Sequence, residues 1–517
     1  MTEYVVHPWI HPGAIEARAY QDNIMNTALT GNTLCVLPTG LGKTPIAALV
    51  AAHRLEKDMN KKILFLAPTK PLVSQHKKTF EKYLKIGESE LIAVTGSIDP
   101  NERKALYEKA DVVFATPQTI SNDLKKDIIH LKEYSLLIVD EAHRSVGNYA
   151  YVYIAKKYMS QASDPLIIAL TASPGSQKDK INEIKSKLFI KNVVIRTHDD
   201  PDVRPYVQEV DRDWVEVELT PELKEIRRCL EKAKEEKIKK LMSWHIIRSP
   251  MINKSQIIML QQELSRKRTG PSYIAMSYLA EVLKIDHASL LLETQCLYSL
   301  KKYFEKMQAD ANAKKTKAVA RLMKDENFAK AMKLTDEALS KGMEHPKIAK
   351  LKEIIQEELK NKEARVIVFV QIRDTITRIY NVLKSMPGCG PIEFIGQAKK
   401  AGKGLSQKEQ VQILNEFKMG FYNVLIASQV GEEGLDVVET NAVIFYEPVP
   451  SAIRRIQRAG RTARTHSGKV IILITKNTRD EAYHWVGHHK ERRMKKILQD
   501  MQNAQEKQRG LSEFHAH

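Results

Sequence analysis

The sequence predicts an α/β protein in which two doubly wound parallel sheets flank an all-helical inserted segment. Three observations lead there. Short, wholly apolar runs recur in the first and the last parts of the chain and stop at Pro, Thr or Asp. The middle third has almost no glycine and a helical apolar period. Phosphate-binding motifs occur in both α/β parts, at the ends of strand-like runs or beside them.

In residues 1–205 the apolar runs are 34–37, 63–67, 112–115, 136–139 and 166–170. Runs this short and apolar on both faces read as buried parallel strands, with functional loops at their carboxyl ends. Residues 206–345 contain only Gly270 and Gly342 after position 210 and are rich in Lys, Glu, Leu and Met. Ile274, Tyr278, Val282 and Ile285 fall at spacings of four, four and three, on one face of a helix. The α/β pattern returns in residues 346–485, with runs at 365–370, 423–427, 442–446 and 469–474. Residues 486–517 read as a basic helix followed by a polar tail. No repeat with a period of about 20 to 50 residues is present.

At 517 residues, 43% apolar and 28% charged, the chain has an ordinary globular composition with room for several cores. Its 82 Lys and Arg against 63 Asp and Glu give a net charge of +19. That excess fits a polyanionic partner, although solubility alone also selects for charge. The four cysteines, Cys35, Cys229, Cys296 and Cys389, are too dispersed for a disulfide framework or a zinc site. His7 and His11 are separated by Pro8, so no helix aims them at one metal. The sequence shows no basic leader followed by an apolar run and no membrane-length apolar stretch. The expectation is a soluble, cytoplasmic, nucleoid-associated protein.

The strongest motif is LCVLPTGLGKTPIAALV, residues 34–50. A strand runs into Pro38-Thr39-Gly40-Leu41-Gly42 and then into a helix opening at Lys43-Thr44. Backbone N–H groups of such a loop, with the helix N-terminus behind them, cradle anions. Lys43 would reach the terminal phosphates of ATP, and the Thr44 hydroxyl would ligate Mg²⁺. Leu37 stands where the strict phosphate-loop pattern has Gly, and Gly40 lies inside the loop instead. Pro45 fits the first helical turn, where its missing N–H is not needed.

The run at 136–139 ends in Asp140-Glu141-Ala142-His143, 97 positions after Lys43. Asp140 can hold Mg²⁺, and Glu141 is placed to orient and deprotonate the attacking water. His143 would link that site to the neighbouring domain. In the other α/β part, Gln457-Arg458-Ala459-Gly460-Arg461-Thr462-Ala463-Arg464 presents two cations three positions apart. Across a cleft, Arg461 and Arg464 would act as arginine fingers, because the planar guanidinium stays charged and grips phosphate.

These motifs resemble those of superfamily 2 helicases of the DEAH-box type, with two RecA-like domains. In this resemblance Tyr20-Gln21 is similar to the adenine-reading Q motif, and 67–73 to motif Ia. Thr95-Gly96 and Thr116-Pro117-Gln118 resemble the strand-contacting motifs that follow it. Residues 171–174 resemble motif III, 369–371 motif IV and 428–436 motif V. More narrowly, GQAKKAGKGLSQKEQ, ASQVGEEGLDV, FYEPVPSAIRRIQRAGRTART and TRDEAYHW resemble the archaeal Hef family and its Fanconi-anaemia M-type relatives. The resemblance implies ATP and Mg²⁺ as cofactors, with Gly434 and Asp436 also at the nucleotide and Gln457 at the catalytic site. It further implies ATP-dependent unwinding or remodelling of forked and branched DNA, with 3′ to 5′ polarity, in replication-fork repair. Gln429 stands where motif V more usually has Thr or Ser. Glu491-Arg492-Arg493-Met494 only echoes the nuclease signature of full-length Hef, leaving a helicase-only relative or a shortened chain as the two readings.

Nucleic-acid contacts are expected from Pro68, Thr69, Thr95, Gly96, Thr116, Gln371 and Ser428. Small hydroxyls, amides and backbone groups grip phosphates and carry little sequence information, so the expected DNA partner is recognised by structure rather than by sequence. In the inserted segment Lys301, Lys302, Lys306, Lys314, Lys315, Lys317, Arg321 and Lys324 would touch duplex or branch point by the same resemblance, or form a solvated face. No motif specifies a protein partner. Two other functions remain open: a double-stranded-RNA-stimulated ATPase or RNA helicase, and an ATP-gated scaffold on branched DNA.

Overall fold

The computed structural model describes residues 3–175, 177–198, 200–206, 210–396, 404–428, 440–448 and 468–514. The first sheet has seven strands: β1 (Thr33–Val36), β2 (Lys62–Leu66), β3 (Leu91–Val94), β4 (Val112–Ala115), β5 (Tyr134–Val139), β6 (Ile167–Thr171) and β7 (Asn192–Ile195). Their order is β3-β4-β2-β5-β6-β1-β7, and every pairing is parallel. Alternate side chains enter two separate cores. Cys35, Ile63, Phe65, Ile138 and Ile168 pack on one face. Leu34, Leu64, Leu66, Leu137, Val139 and Ile167 pack on the other. Helices cover both faces, which is why these strands carry apolar side chains on both faces rather than on alternate positions alone.

The second sheet has the order β10-β11-β9-β12-β13-β8, again all parallel. Its strands are β8 (Val210–Val217), β9 (Val366–Phe369), β10 (Pro391–Phe394), β11 (Val424–Ala427), β12 (Ala442–Phe445) and β13 (Gly468–Thr475). β8 corrects the expectation of an all-helical segment from 206. Its sequence VDRDWVEV looks unlike a buried strand, yet it pairs with β13 over its whole length. It lies at the edge of the sheet, where charge on the strand is tolerated and discourages edge pairing.

Between the sheets lie the helices Pro221–Ser243, Lys254–Lys267, Gly270–Thr294, Leu297–Asn312, Lys317–Leu322 and Glu326–Ser340. Most open on a local cap: the Thr220, Asn253, Thr269, Thr316 and Asp325 side chains each accept a first-turn N–H. Of the four residues expected on one helix face, Tyr278, Val282 and Ile285 are buried, but Ile274 is half exposed. Arg321 is a structural residue. Its Nε donates to the fully buried Glu281 at 2.6 Å, and its guanidinium lies 4.0 Å over the Tyr278 ring. Lys301, Lys302 and Lys315 are likewise ion-paired, to Asp336, Glu305 and Asp310.

The helical unit is fastened to the second sheet through Gln295, whose Oε1 accepts from Thr375 Oγ1 at 3.0 Å and whose carbonyl accepts from Tyr446 at 2.7 Å. The last helix, Arg479–Phe514, starts earlier than the boundary expected at 486. Through at least Met501 it is packed rather than tail-like. Met494, Ile497 and Met501 lie against the first sheet. Their spacing of three and four is an apolar stripe within a basic stretch.

Beside the start of that helix, Lys347 and Asp480 form an ion pair with both side chains fully buried. Burial raises the Asp480 pKa even against the neighbouring Lys347 charge. Lys347→Met should therefore destabilise the fold by about 3–5 kcal/mol, because it strands a buried carboxylate. Urea denaturation checks this, and the double change Lys347→Met with Asp480→Asn should cost less than the single one. A single-variant loss below about 1 kcal/mol would show that the pair is not the anchor described.

Candidate nucleotide site and nucleic-acid edge

The phosphate loop leaves β1 and enters helix α2 (Lys43–Lys57). Gly40 and Gly42 adopt φ of 92° and 80°, left-handed conformations that favour glycine. At Gly42 a Cβ would also lie 2.5 Å from Gln21 Nε2, so the loop is closed against helix α1 (Ala19–Leu29). The first ladder bond of α2 runs from Ile46 N to Gly42 O, one residue beyond Pro45. Lys43 Nζ donates to Leu37 O at 3.1 Å, folding the lysine over its own loop.

Tyr20 and Gln21 sit behind this loop. Tyr20 is fully buried, its hydroxyl donates to Leu41 O at 2.8 Å, and Gln21 Nε2 donates to that hydroxyl at 3.2 Å. In this structure Tyr20 holds the loop rather than facing open space. Arg18 joins the group: its Nη1 contacts the Tyr20 hydroxyl at 3.4 Å and its guanidinium lies 5.1 Å from the Tyr206 ring centroid.

Asp140 follows β5 and is almost fully buried. Its N–H donates to Leu66 O, and Tyr151 donates to its carbonyl at 2.7 Å. His76 Nε2, on helix α3 (Lys70–Tyr83), contacts Asp140 Oδ2 at 3.0 Å and acts as donor, since a carboxylate only accepts. Burial pushes the Asp140 pKa up. The hydrogen bond and charge of His76, the charge of Lys43 and the Glu141 N–H together outweigh burial, and the net shift is downward from 3.8. The carboxylate is thus held ionised inside the protein, as a ligand for a hard cation must be. Glu141 adopts φ 51°, a rare conformation for a residue with a Cβ and one found at functional sites. His143 Nδ1 lies 3.2 Å from Glu141 Oε2 and 3.3 Å from Thr171 Oγ1, at the end of β6.

The nucleic-acid candidates occupy the same edge of the sheets. Pro68 and Thr69 follow β2, Thr95 and Gly96 follow β3, and Thr116 follows β4. Thr95 Oγ1 bonds Ser97 Oγ at 2.8 Å, and Thr116 Oγ1 bonds Thr119 Oγ1 at 2.8 Å. On the second sheet Gln371 follows β9, with its N–H donating to Glu447 Oε1 at 2.7 Å, and Ser428 follows β11. Gly434, Asp436, Gln457, Arg461 and Arg464 lie outside the described residues.

Two functional neighbours escaped the sequence reading. His76 shares the buried face of α3 with Val73 and Phe80 at spacings of three and four, a polar residue in an apolar stripe and thus a usable signal. Tyr151 carried no such mark. Among the described residues, His7 meets His53 and Glu56 with possible ligand atoms within 4.8 Å. However, His7 Nδ1 accepts from Trp9 N at 3.2 Å, so its Nε2 carries the proton toward Glu56 and does not offer a lone pair.

Residues 18–181 match the family model DEAD/DEAH box helicase, and residues 346–466 match Helicase conserved C-terminal domain. Residues 222–342 match "Putative ATP-dependent RNA helicase, helical bundle". Two paired helicase domains around a helical bundle define a superfamily 2 helicase core. The crystal structure of the Pyrococcus furiosus Hef helicase domain is 45% identical, with a TM-score of 0.71 over 90% of this chain and 97% of that one. "Putative ATP-dependent RNA helicase MJ1505" of Methanocaldococcus jannaschii is 42% identical over 500 residues, 96% of this chain and 63% of the relative. "ATP-dependent DNA helicase fml1" of Schizosaccharomyces pombe is 32% identical over 494 residues, 92% of this chain and 59% of the relative. The chain therefore spans less than two thirds of the length of these curated relatives. It belongs to the Hef and Fanconi-anaemia M-type family of superfamily 2 helicases. No helix among the described residues is long and apolar enough to cross a membrane.

The depressed Asp140 pKa has a sign that can be checked. A carboxylate whose folded pKa lies below 3.8 adds stability that is present above that value and lost as pH falls through the folded one. His76→Ala should move this acid limb to higher pH, read as urea midpoints between about pH 3 and pH 6. An acid limb identical to the parent's would mean that His76 does not hold the charge.

Proposed function

We propose that the chain is an ATP-driven DNA motor that unwinds or remodels forked and branched DNA, moving 3′ to 5′, in replication-fork repair. One observation carries the reading: Lys43 with its left-handed glycine loop and the ionised Asp140 beside Glu141 leave strands β1 and β5 at one edge of one sheet, in a member of the Hef family. The residues present fit ATP with Mg²⁺. The loop from Pro38 to Gly42 and the start of α2 would cradle phosphates, with Lys43 on the terminal ones. The Thr44 hydroxyl and the Asp140 carboxylate form an oxygen donor set suited to Mg²⁺, which would supply charge neutralisation on the phosphates. Gln21 and Arg18 offer an amide and a planar cation for the base.

Glu141 then takes the proton of the attacking water, with His143 Nδ1 3.2 Å from its Oε2. The leaving phosphate needs cations from the second domain, the role proposed for Arg461 and Arg464, with Gln457 beside them and Gly434 and Asp436 at the nucleotide. Domain closure on ATP and reopening after hydrolysis would alternate the grip of two strand-holding edges, Pro68 to Thr116 on the first sheet and Gln371 with Ser428 on the second. Those groups grip backbone, so the motor is not sequence-specific.

DNA is favoured over RNA by the name of the yeast relative, while the bundle model and the M. jannaschii relative carry RNA in theirs. An RNA-stimulated ATPase is the second reading for that reason. Lys43→Ala should abolish ATP turnover while leaving forked-DNA affinity within a few-fold, and Glu141→Gln should slow turnover by about 10²-fold or more. Steady-state phosphate release and a DNA-binding titration check both. Turnover unchanged in Lys43→Ala would remove the nucleotide-site assignment.

A further inference from the structure

The helix Arg479–Phe514 is fastened at two places that belong to different parts of the molecule. At its start, Arg479 makes a bidentate bond to Asp286 of the helical unit at 3.0 and 2.8 Å. Its N–H donates to Glu293 Oε2 at 3.3 Å. Next to it, Asp480 pairs with Lys347 and accepts from Thr475 N at the end of β13 at 3.1 Å. Met494 is buried, 15 residues on, in the first domain's core with Ile181, Ile184, Val193 and Ile195. A continuous helix of that length spans about 22 Å.

Met494 also touches Ser173, just beyond the end of β6. Ser173 Oγ donates to Met494 Sδ at 2.8 Å. Ser173 N donates to Thr171 Oγ1 at 3.1 Å, and that hydroxyl donates back to Ser173 O at 3.1 Å. Thr171 Oγ1 contacts His143 at 3.3 Å, and His143 faces Glu141 at 3.2 Å. Four consecutive contacts therefore join the water-activating carboxylate to the side of a helix whose other end is bolted to the second sheet and the helical unit.

We propose that this helix is a mechanical tie: it transmits the position of the second domain and the helical unit to Ser173, and so to His143 and Glu141, making hydrolysis responsive to bound nucleic acid. Arg479 and Met494 act as positioning residues at its two ends. The tie works because a packed core is not continuously deformable. Moving the second domain must either drag Met494, and Ser173 with it, or pull Met494 from its pocket. The inference rests on the ATPase reading above.

The test is ATP turnover of the full chain with and without forked DNA, for the parent, Met494→Ala, Arg479→Ala and the double variant. Each single variant should keep DNA-free turnover within about twofold and lower stimulation by DNA about 3- to 10-fold. The double variant should lose no more than the larger single, since both cut one path. Met494→Leu, which refills the volume, should recover most of the stimulation. Full stimulation in either single variant, multiplying losses in the double, or a Leu variant as poor as the Ala one would overturn the tie. Lys43→Ala in the same assay separates the two claims. Residual turnover there contradicts the nucleotide site, whereas its loss alongside normal stimulation in the Met494 and Arg479 variants contradicts the tie alone.

Discussion

Among the described residues, the loops carrying Lys43, Asp140, Glu141 and Ser173 hang from the carboxyl ends of parallel strands, and the rest of the structure depends on that constraint. Parallel pairing forces each strand to be followed by a crossover, and the crossovers cover both faces. The only places left for exposed, adjustable chemistry are the strand ends. The loop after β1, Asp140 and Glu141 after β5, and Thr171 to Ser173 at the end of β6 are neighbours because β5, β6 and β1 are adjacent in the sheet. The groups expected to hold nucleic acid use the same edge on the other side, after β2, β3 and β4. On the proposed reading, one sheet would serve the nucleotide with one half of its carboxyl edge and the nucleic-acid strand with the other.

That edge demands a buried charge. Asp140 has to stay ionised where burial favours the neutral acid, and the fold answers with His76 from α3, Lys43 from α2 and a backbone N–H. The His76 contact that helps keep the carboxylate charged also ties α3 to the end of β5. The geometry of the site and its electrostatics are therefore one feature. Gly42 shows the other side of this tight assembly, because Gln21 occupies the space a side chain would need.

The central strands were legible from composition alone, and among the described residues the four strands that escaped the reading, β3, β7, β8 and β10, are sheet edges. Central strands carry apolar side chains on both faces because both faces and both neighbours are protein. Edge strands face water on one side and admit residues such as Asn192, Asp211 or Glu393. Lys43, Thr44, Asp140 and Glu141 could be proposed from the sequence because a phosphate site needs a rigid local motif. His76 and Tyr151 reach Asp140 only through tertiary packing, and the stripe of Met494, Ile497 and Met501 lay hidden in a basic stretch whose charge suggested solvent or nucleic acid. Arg321, read from the sequence as either a nucleic-acid contact or part of a solvated face, pairs with the buried Glu281, a partner that only tertiary packing reveals.

The central claim is that this nucleotide site is driven by branched DNA. It is tested most directly by ATP turnover at one fixed salt concentration with forked DNA, linear duplex DNA, single-stranded DNA and double-stranded RNA, since phosphate contacts make every affinity salt-dependent. The account predicts the strongest stimulation from forked DNA. Strongest stimulation from double-stranded RNA would contradict it and move the chain to the RNA-stimulated reading.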